Sequence, residues 1–463
     1  MEQCLQVEGP ASHRVYQRNG EGTADISYTL LLQGATSGEI MQRLERSTEQ
    51  TPWLSAGTIT GSNVLRGIIG DVPTGEWTIH FRIVGEADTG FASETTVGPI
   101  FVGDLWLLAG QSNMEGCGYL ADLEEPLNGV SCFYLGDRWD IAADPLTWLK
   151  ESVDPVNWGD VMPEAREAAA LEERRMRVKG AGLGIAFGKE LLRQTGVPVG
   201  LVMCAHGGTS MEQWDPARKT EGGNSLYGAL LRRVRAVGGK VAGCLWYQGE
   251  SDANERSAPG YAERLDELLR QLRHDLNDAR LPFLYAQLSR FHTWEKGAVW
   301  WNRIQDEQLR FEGKDPYIGM VPAIDAALSD PIHLDALSLR RIGRRFAARA
   351  LAMVHGIPSG RGPRLSGYEW NDGRTILYLH LDKTALNGQL RPVERIYGFH
   401  VEAEEMVLVP QASLSAEKTG IVLEFDRSVP AGALLFHGSG YHPHVNTADE
   451  TGIPLPVFGP LHV

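Results

Sequence analysis

Between Gly103 and Gly356, short runs that are apolar at nearly every position alternate with longer stretches whose apolar residues return every three or four. The first texture is that of a strand buried on both faces, and the second is that of an amphipathic helix. LWLLAG (105–110), VGLVMCAHGG (199–208), VAGCLWYQG (241–249), PFLYAQLSR (282–290) and YIGMVPAID (317–325) predict buried strands. GLGIAFGKELLRQTG (182–196), SLYGALLRRVRAVG (225–238), YAERLDELLRQLRHDL (261–276) and SLRRIGRRFAARALAMVHG (338–356) predict the helices between and after them. Such alternation predicts an α/β region with a mostly parallel sheet and helices on both faces. Residues 1–100 read instead as short strands broken by Gly, Pro, Asp and Asn, as in ADISYTLLLQG and GEWTIHFRIVG. From Pro358 the pattern returns to strands, as in RTILYLHLD and GIVLEFDRSVPAGALLFHG. The expected division is a β-sandwich-like region over 1–100, an α/β region over 101–357 and a β region over 358–463. The last is expected either as a second sandwich or as half of one packed on the first. The segment 117–179 is less regular, and its charged run EAREAAALEERRMRVKG reads as a solvated helix face.

Length changes this picture little, since 463 residues fit two to four domains at roughly 100–200 residues each. A net charge of −15 argues against nucleic acid or an anionic membrane as the main partner. The five cysteines, Cys4, Cys117, Cys132, Cys204 and Cys244, are scattered and form no Cys-x-x-Cys pair, which disfavours a zinc ribbon or a disulfide framework. No run approaches the ~18 apolar residues of a membrane span. The first residues, MEQCLQVEGPASHR, lack a basic segment followed by an apolar one, so a cytoplasmic location is expected, or a secreted or periplasmic one if a leader has been removed. The sequence sets no oligomeric state.

Candidate chemistry gathers at the ends of the predicted strands, where open parallel sheets bind ligands. The run 105–109 stops at Gly110 and is followed by Gln111, Ser112, Asn113 and Met114. A serine there serves equally as a helix amino cap or as a nucleophile on a tight turn, although Gly-x-Ser-x-Gly is absent because Met114 holds its last position. A nucleophilic serine needs a base, and the base needs an orienting group. Asp330 and His333, three apart in SDPIHLDALS, can supply both, although thirteen histidines make chance matches common. In GLVMCAHGGTSMEQW, Gly207 and Gly208 offer backbone N–H groups to an oxyanion, and Thr209 with Glu212 resembles a capping box opening a helix. WYQGESD places Gln248 as a possible side-chain donor and Glu250 as a holder of His333 or of a sugar hydroxyl. No phosphate-binding loop is present, and the glycines of GAGLGIAFG read as close helix packing. His442-Pro443-His444 lacks a third ligand and is not read as a metal site.

Together, GQSNMEG, HGGTSMEQW, WYQGESD and DPIH resemble in order and spacing the blocks of the SGNH hydrolase superfamily. More narrowly, they resemble the sialate O-acetylesterases and the acetyl xylan esterases of carbohydrate esterase family six. The tail NTADETGIPLPVF is similar to the Asn-x-x-x-x-x-Gly-x-Pro ending of sialate-esterase-like proteins. Leu334 after His333 is closer to the xylan-esterase side, since sialate-type members commonly carry Pro there. The resemblance implies a flavodoxin-like, three-layer α/β/α SGNH domain, flanked by the β-sandwich regions that the strand pattern predicts. It also implies Ser112 as nucleophile, His333 as general base and acid, and Asp330 as the group orienting His333. The oxyanion hole would be the backbone N–H of Ser112, that of Gly207 or Gly208, and the Gln248 side chain. Glu250, Asn113 and Trp214 stand as possible substrate-contacting or histidine-orienting residues.

The reaction so implied is hydrolysis of an O-acetyl group on a sugar, either a sialic acid or an acetylated plant polysaccharide, through an acyl-enzyme. It needs no metal or organic cofactor. Trp214, Trp294, Trp300 and Trp301 are expected to stack on sugar rings or to cover the edge of the core. Two rivals remain open: a hydrolase of non-sugar acyl esters, and a carbohydrate-binding protein whose triad is idle.

Overall fold

The computed structural model describes residues 4–33, 37–47, 49–60, 64–84, 93–295, 297–404 and 406–463. Its centre is built on β1 (Ser93–Gly110), β2 (Val130–Phe133), β3 (Val199–Met203), β4 (Gly243–Tyr247), β5 (Phe283–Gln287) and β6 (Ile318–Pro322). These lie parallel in the order β2-β3-β1-β4-β5-β6. Trp139–Ile141 adds an antiparallel edge beyond β2. With the first strand in the middle, the chain leaves it in opposite directions, which opens a crevice at the carboxyl end of β1. Every residue of β2 to β6 is buried, as the unbroken apolar runs require.

The helices are α1 (Ser112–Glu115), α2 (Gly184–Thr195), α3 (Leu226–Ala236), α4 (Tyr261–Asp275), α5 (Val299–Phe311) and α6 (Ala336–Val354), with an exposed helix at Arg166–Met176. Adjacent strands β5 and β6 meet helices on both faces of the sheet. A Cβ on Gly319 would lie 2.9 Å from both Leu284 of β5 and Met353 of α6, whereas Tyr285 turns the other way onto Phe311 of α5, with ring centres 5.6 Å apart. The glycines of GAGLGIAFG do allow close packing, since a Cβ on Gly184 would stand 2.8 Å from Leu108 and from Leu146.

β2, its edge partner and α5 were not foreseen. β2 is four residues long and sits in the irregular segment. In α5 the apolar period is broken because Gln305 and Gln308 point inward, donating to Leu288 and Gln248 carbonyls at 2.9 and 3.1 Å.

β1 is 18 residues long and serves two regions. Its first half pairs antiparallel with Gly75–Val84, its middle pairs with Val15–Gln17, and its second half lies inside the parallel array. The division expected at residue 100 therefore falls within a single strand. The amino-terminal region faces this sheet with an antiparallel one of Cys4–Gly9, Thr23–Gln33 and Val64–Pro73, and Ile26, Tyr28, Ile79 and Phe81 fill the space between. The carboxyl-terminal region encloses its own core, including Leu377, Val401, Leu423 and Leu435, between two four-stranded antiparallel sheets. It is therefore not half of a sandwich completed by the first region. The molecule is a mixed α/β protein with a mixed central sheet and additional antiparallel sheets. Among the described residues, Cys117, Cys132, Cys204 and Cys244 are free thiols, and no helix is long and apolar enough to cross a membrane.

Buried charges join the regions. Asp104 on β1 accepts Arg18 Nε at 2.8 Å and lies 3.2 Å from Nε2 of His355, just past α6. Burial alone would raise its carboxyl, but His355 and Arg18 hold it below the usual carboxylate range. Such a depressed acid stabilises the fold above its unfolded value near about pH 4 and loses that effect as pH falls through the native value. Asp104→Asn is expected to cost roughly 3 kcal/mol at pH 7, because it leaves Arg18 without its counter-charge and takes the carboxylate away from His355 Nε2. Urea unfolding should show the gap to wild type closing below about pH 4.

Candidate active site

β1 ends paired with the last residue of β4, Gly110 opposite Tyr247. Gly110 has φ +127°, and a Cβ there would stand 2.2 Å from the Tyr247 carbonyl oxygen, so only glycine fits. The Gln111 N–H then donates to that same oxygen at 2.8 Å, and the chain turns into α1 with Ser112 as its first residue. The Ser112 side chain is half-buried, and its N–H has no acceptor among the described residues.

His333 Nε2 lies 3.0 Å from Ser112 Oγ, and its Nδ1 lies 2.8 Å from Asp330 Oδ2. An ionised carboxylate only accepts, so Nδ1 carries the proton and Nε2 faces the serine hydroxyl as an acceptor. Asp330 Oδ1 takes the backbone N–H groups of Ile332 at 3.0 Å and His333 at 2.8 Å. Burial works against this carboxylate's charge, but Lys179 and those donors outweigh it and hold Asp330 far below the usual range.

Asn113, fully buried, fastens the histidine loop to the serine turn. Its Oδ1 accepts the Leu334 N–H at 3.0 Å, and its Nδ2 donates to Glu250 Oε1 at 2.7 Å. Burial pushes the Glu250 carboxyl up, and Asn113 partly offsets it. The other wall comes from the end of β3. His206 N–H donates to Gly110 O at 3.0 Å, and a Cβ on Gly207 would lie 3.5 Å from Ser112 Cβ. Gly207 N–H donates to buried Glu115 Oε2 at 2.8 Å, while Arg177 Nη2 sits 3.2 Å from Oε1 of the same residue. Gly208 is exposed with φ +70°, and its N–H has no acceptor among the described residues. Two uncommitted backbone donors thus stand in the serine turn and in the Gly207–Gly208 turn beside it, those of Ser112 and Gly208. On the rim, His292 N–H donates to Pro331 O and Phe291 N–H donates to Tyr441 O, both at 2.7 Å, so the carboxyl-terminal region also reaches the site.

A family model described as carbohydrate esterase, sialic acid-specific acetylesterase, matches residues 102–352. The chain belongs to this family. It is a carboxylic ester hydrolase, and the family implies an acetylated carbohydrate substrate. A probable carbohydrate esterase of Arabidopsis thaliana is 29% identical over 267 residues, covering 55% of this chain and 92% of that protein. The solved structure of a carbohydrate acetylesterase from Xanthomonas citri is 21% identical and covers 97% of both chains with a TM-score of 0.65, so the likeness in fold includes the flanking β regions.

In this esterase several residues stand elsewhere than the sequence suggested. Gln248 is fully buried, and its amide is engaged with Asp252 Oδ2 at 2.6 Å, Thr209 O at 3.0 Å and Gln111 Oε1 at 3.3 Å. With both hydrogens directed at protein acceptors, it is a brace beneath the turn and not a donor to an oxyanion. Gly207 likewise has its N–H occupied by Glu115. Glu250 does not bond the His333 ring, and Asn113 acts on the histidine loop through its backbone. Trp214 is buried, donating its indole N–H to Thr209 Oγ1 at 3.0 Å, and Trp301 is buried as well, so neither is a sugar platform. Trp300 is half-buried, and Trp294 is 96% exposed. No helix opens at Thr209, whose hydroxyl instead donates to His206 O at 2.7 Å; a 3-10 helix runs over Pro216–Asn224, and the next α-helix begins at Leu226, capped by Ser225. Among the described residues no three His, Cys, Asp or Glu side chains could hold a metal.

Glu115, Arg177 and Lys179 escaped the sequence reading. Glu115 stands inside the serine motif, which was the one available signal. Arg177 and Lys179 come from the irregular segment and meet the site only through tertiary contacts.

Gln248→Met should therefore act chiefly on stability, lowering it by about 1–3 kcal/mol as Asp252 and Thr209 lose their donor. Its kcat for an acetyl ester is expected to fall less than about tenfold, against the roughly 10²–10³ of a lost oxyanion donor. Thermal melts and steady-state kinetics on one preparation separate the two.

Proposed function

We propose that this protein is a serine esterase that removes O-acetyl groups from a sugar, a sialic acid or an acetylated plant oligosaccharide, through an acyl-enzyme on Ser112. The observation that carries the reading is the unbroken chain Asp330–His333–Ser112, with contacts of 2.8 and 3.0 Å. Ser112 Oγ attacks the acetyl carbonyl while its proton passes to His333 Nε2. The oxygen that becomes negative is held by the N–H groups of Ser112 and Gly208. His333 then gives the proton to the departing sugar oxygen, and a water deprotonated by the same nitrogen releases acetate. Asp330 fixes the tautomer and stabilises the imidazolium without being protonated itself.

Residues 101–357 would form the SGNH-type domain, three-layered and flavodoxin-like. The central place of β1 and the helices on opposite faces support this, with 1–100 and 358–463 as flanking β domains. A sugar substrate finds support in Trp294, whose exposed ring lies two residues from the His292 contact to Pro331.

Ser112→Ala is expected to bring p-nitrophenyl acetate hydrolysis down roughly 10³-fold or more, to background. Equal rates in wild type and variant would sink the assignment. Trp294→Ala should raise KM for an acetylated oligosaccharide about three- to tenfold and leave p-nitrophenyl acetate unchanged, if the ring stacks on a sugar. Acetate release from acetylated sialic acids and acetylated xylo-oligosaccharides then separates the two sugar classes.

A further inference from the structure

One oxygen of Asp330 serves two donors. Oδ2 receives the Nδ1–H of His333 at 2.8 Å and the ammonium of Lys179 at 2.5 Å, while Oδ1 is filled by backbone N–H groups. Lys179 opens the short strand Lys179–Ala181, which pairs with Gly118–Tyr119 just beyond the serine turn. Its ammonium lies 4.9 Å from the centre of the Tyr119 ring and 3.5 Å from Ser329 Oγ, and its side chain is 25% exposed. The lysine is thus directed at the carboxylate from a segment that supplies none of Ser112, His333 or Asp330.

The consequence is electrostatic. The carboxylate of a Ser-His-Asp chain stabilises the imidazolium formed when the histidine takes the serine proton. Here the Lys179 ammonium rests on the same oxygen, so the imidazolium is attracted by Asp330 and repelled by Lys179. Like charges sharing a site disfavour each other.

We propose that Lys179 is a positioning residue that pins the Asp330 carboxylate and weakens its pull on the His333 proton, leaving the histidine available as a base in more acidic solution than it would be without the lysine. This rests on the Ser112–His333–Asp330 reading above. The other ionisable groups around the pair do not duplicate the role. Glu250, beyond Asn113 on the turn after β4, opposes Lys179 in sign but touches neither Asp330 nor the His333 ring. Cys117, after α1, has a thiol pushed up to about 12 by burial and so stays neutral. His292, after β5, meets this loop through its backbone N–H, and Arg177 is paired with Glu115 and Glu173.

The test compares wild type, Lys179→Met and Lys179→Arg in two readouts. The first is kcat/KM for p-nitrophenyl acetate against pH. The second is the NMR titration of the His333 ring, its signal identified by its loss in His333→Gln. In Lys179→Met both the acid limb and the NMR midpoint are expected to move up by about one pH unit, and Lys179→Arg should return both toward wild type. An unmoved midpoint in Lys179→Met overturns the proposal. So does activity lost equally at every pH with the midpoint in place, since that marks a purely structural lysine. Should Lys179→Met lose its native circular dichroism, Lys179→Gln carries the same comparison. If Ser112→Ala proves as active as wild type, the nucleophile reading fails on its own, and the NMR midpoint still judges Lys179.

Discussion

No side chain fits between β1 and β4 at their carboxyl ends, and the site is organised around that contact. With the Tyr247 carbonyl 2.2 Å from where a Cβ of residue 110 would sit, the chain must carry glycine there and must leave the strand. Tyr247 O holds the next N–H, that of Gln111, and Gly110 O holds the N–H of His206. Three strand ends, β1, β3 and β4, are thereby fixed to one another within a few residues. Ser112 emerges from the middle of them, and the Gly207–Gly208 turn closes beside it.

Beneath that junction the packing is polar. Asn113, Glu115, Gln248 and Asp252 are all buried, and each is matched to a partner: the histidine loop, the Gly207 N–H, the Thr209 carbonyl and the Met211 N–H. A satisfied buried hydrogen bond adds only about 1 kcal/mol net, whereas an orphaned one costs more, so such a network tolerates few arrangements. That is how short loops carry a three-residue chemical chain with contacts near 3 Å. The apolar sheet sets where the loops begin, and the polar layer sets where their side chains point.

The flanking regions join this frame through charges and through the strand itself. β1 carries the amino-terminal sheet directly into the parallel array. On the other side Arg364 meets Glu312 at 2.7 Å in a buried pair, and Arg345 ties Asp325 to the carbonyl of Gly452. The loop bearing Tyr441 and His442 is thus presented at the rim beside His292, their rings 5.7 Å apart.

Much of this was legible along the chain because it depends on local period and local chemistry. Five of the six parallel strands announce themselves as unbroken apolar runs, and α2, α3, α4 and α6 as amphipathic periods. Ser112 and the Asp330–His333 pair show at strand ends, where a glycine turn and a three-residue spacing are local signals. α5 stayed hidden because Gln305 and Gln308 put polar groups where the period calls for apolar ones. The roles of Gln248, Trp214 and Lys179 were not written locally either. Whether an amide faces an oxyanion or a buried carboxylate depends on how β4 packs against the Thr209 turn. Whether an indole meets a sugar or the core depends on which side of that turn it lands. A lysine in a charged, irregular stretch becomes a partner of Asp330 only when residues 151 positions apart in the chain are brought within 2.5 Å. The sequence by itself determined the alternation of strand and helix and the residue types at the strand ends. The tertiary structure decided which donors are free and which are occupied, because a hydrogen bond is settled by position in space and not by residue type.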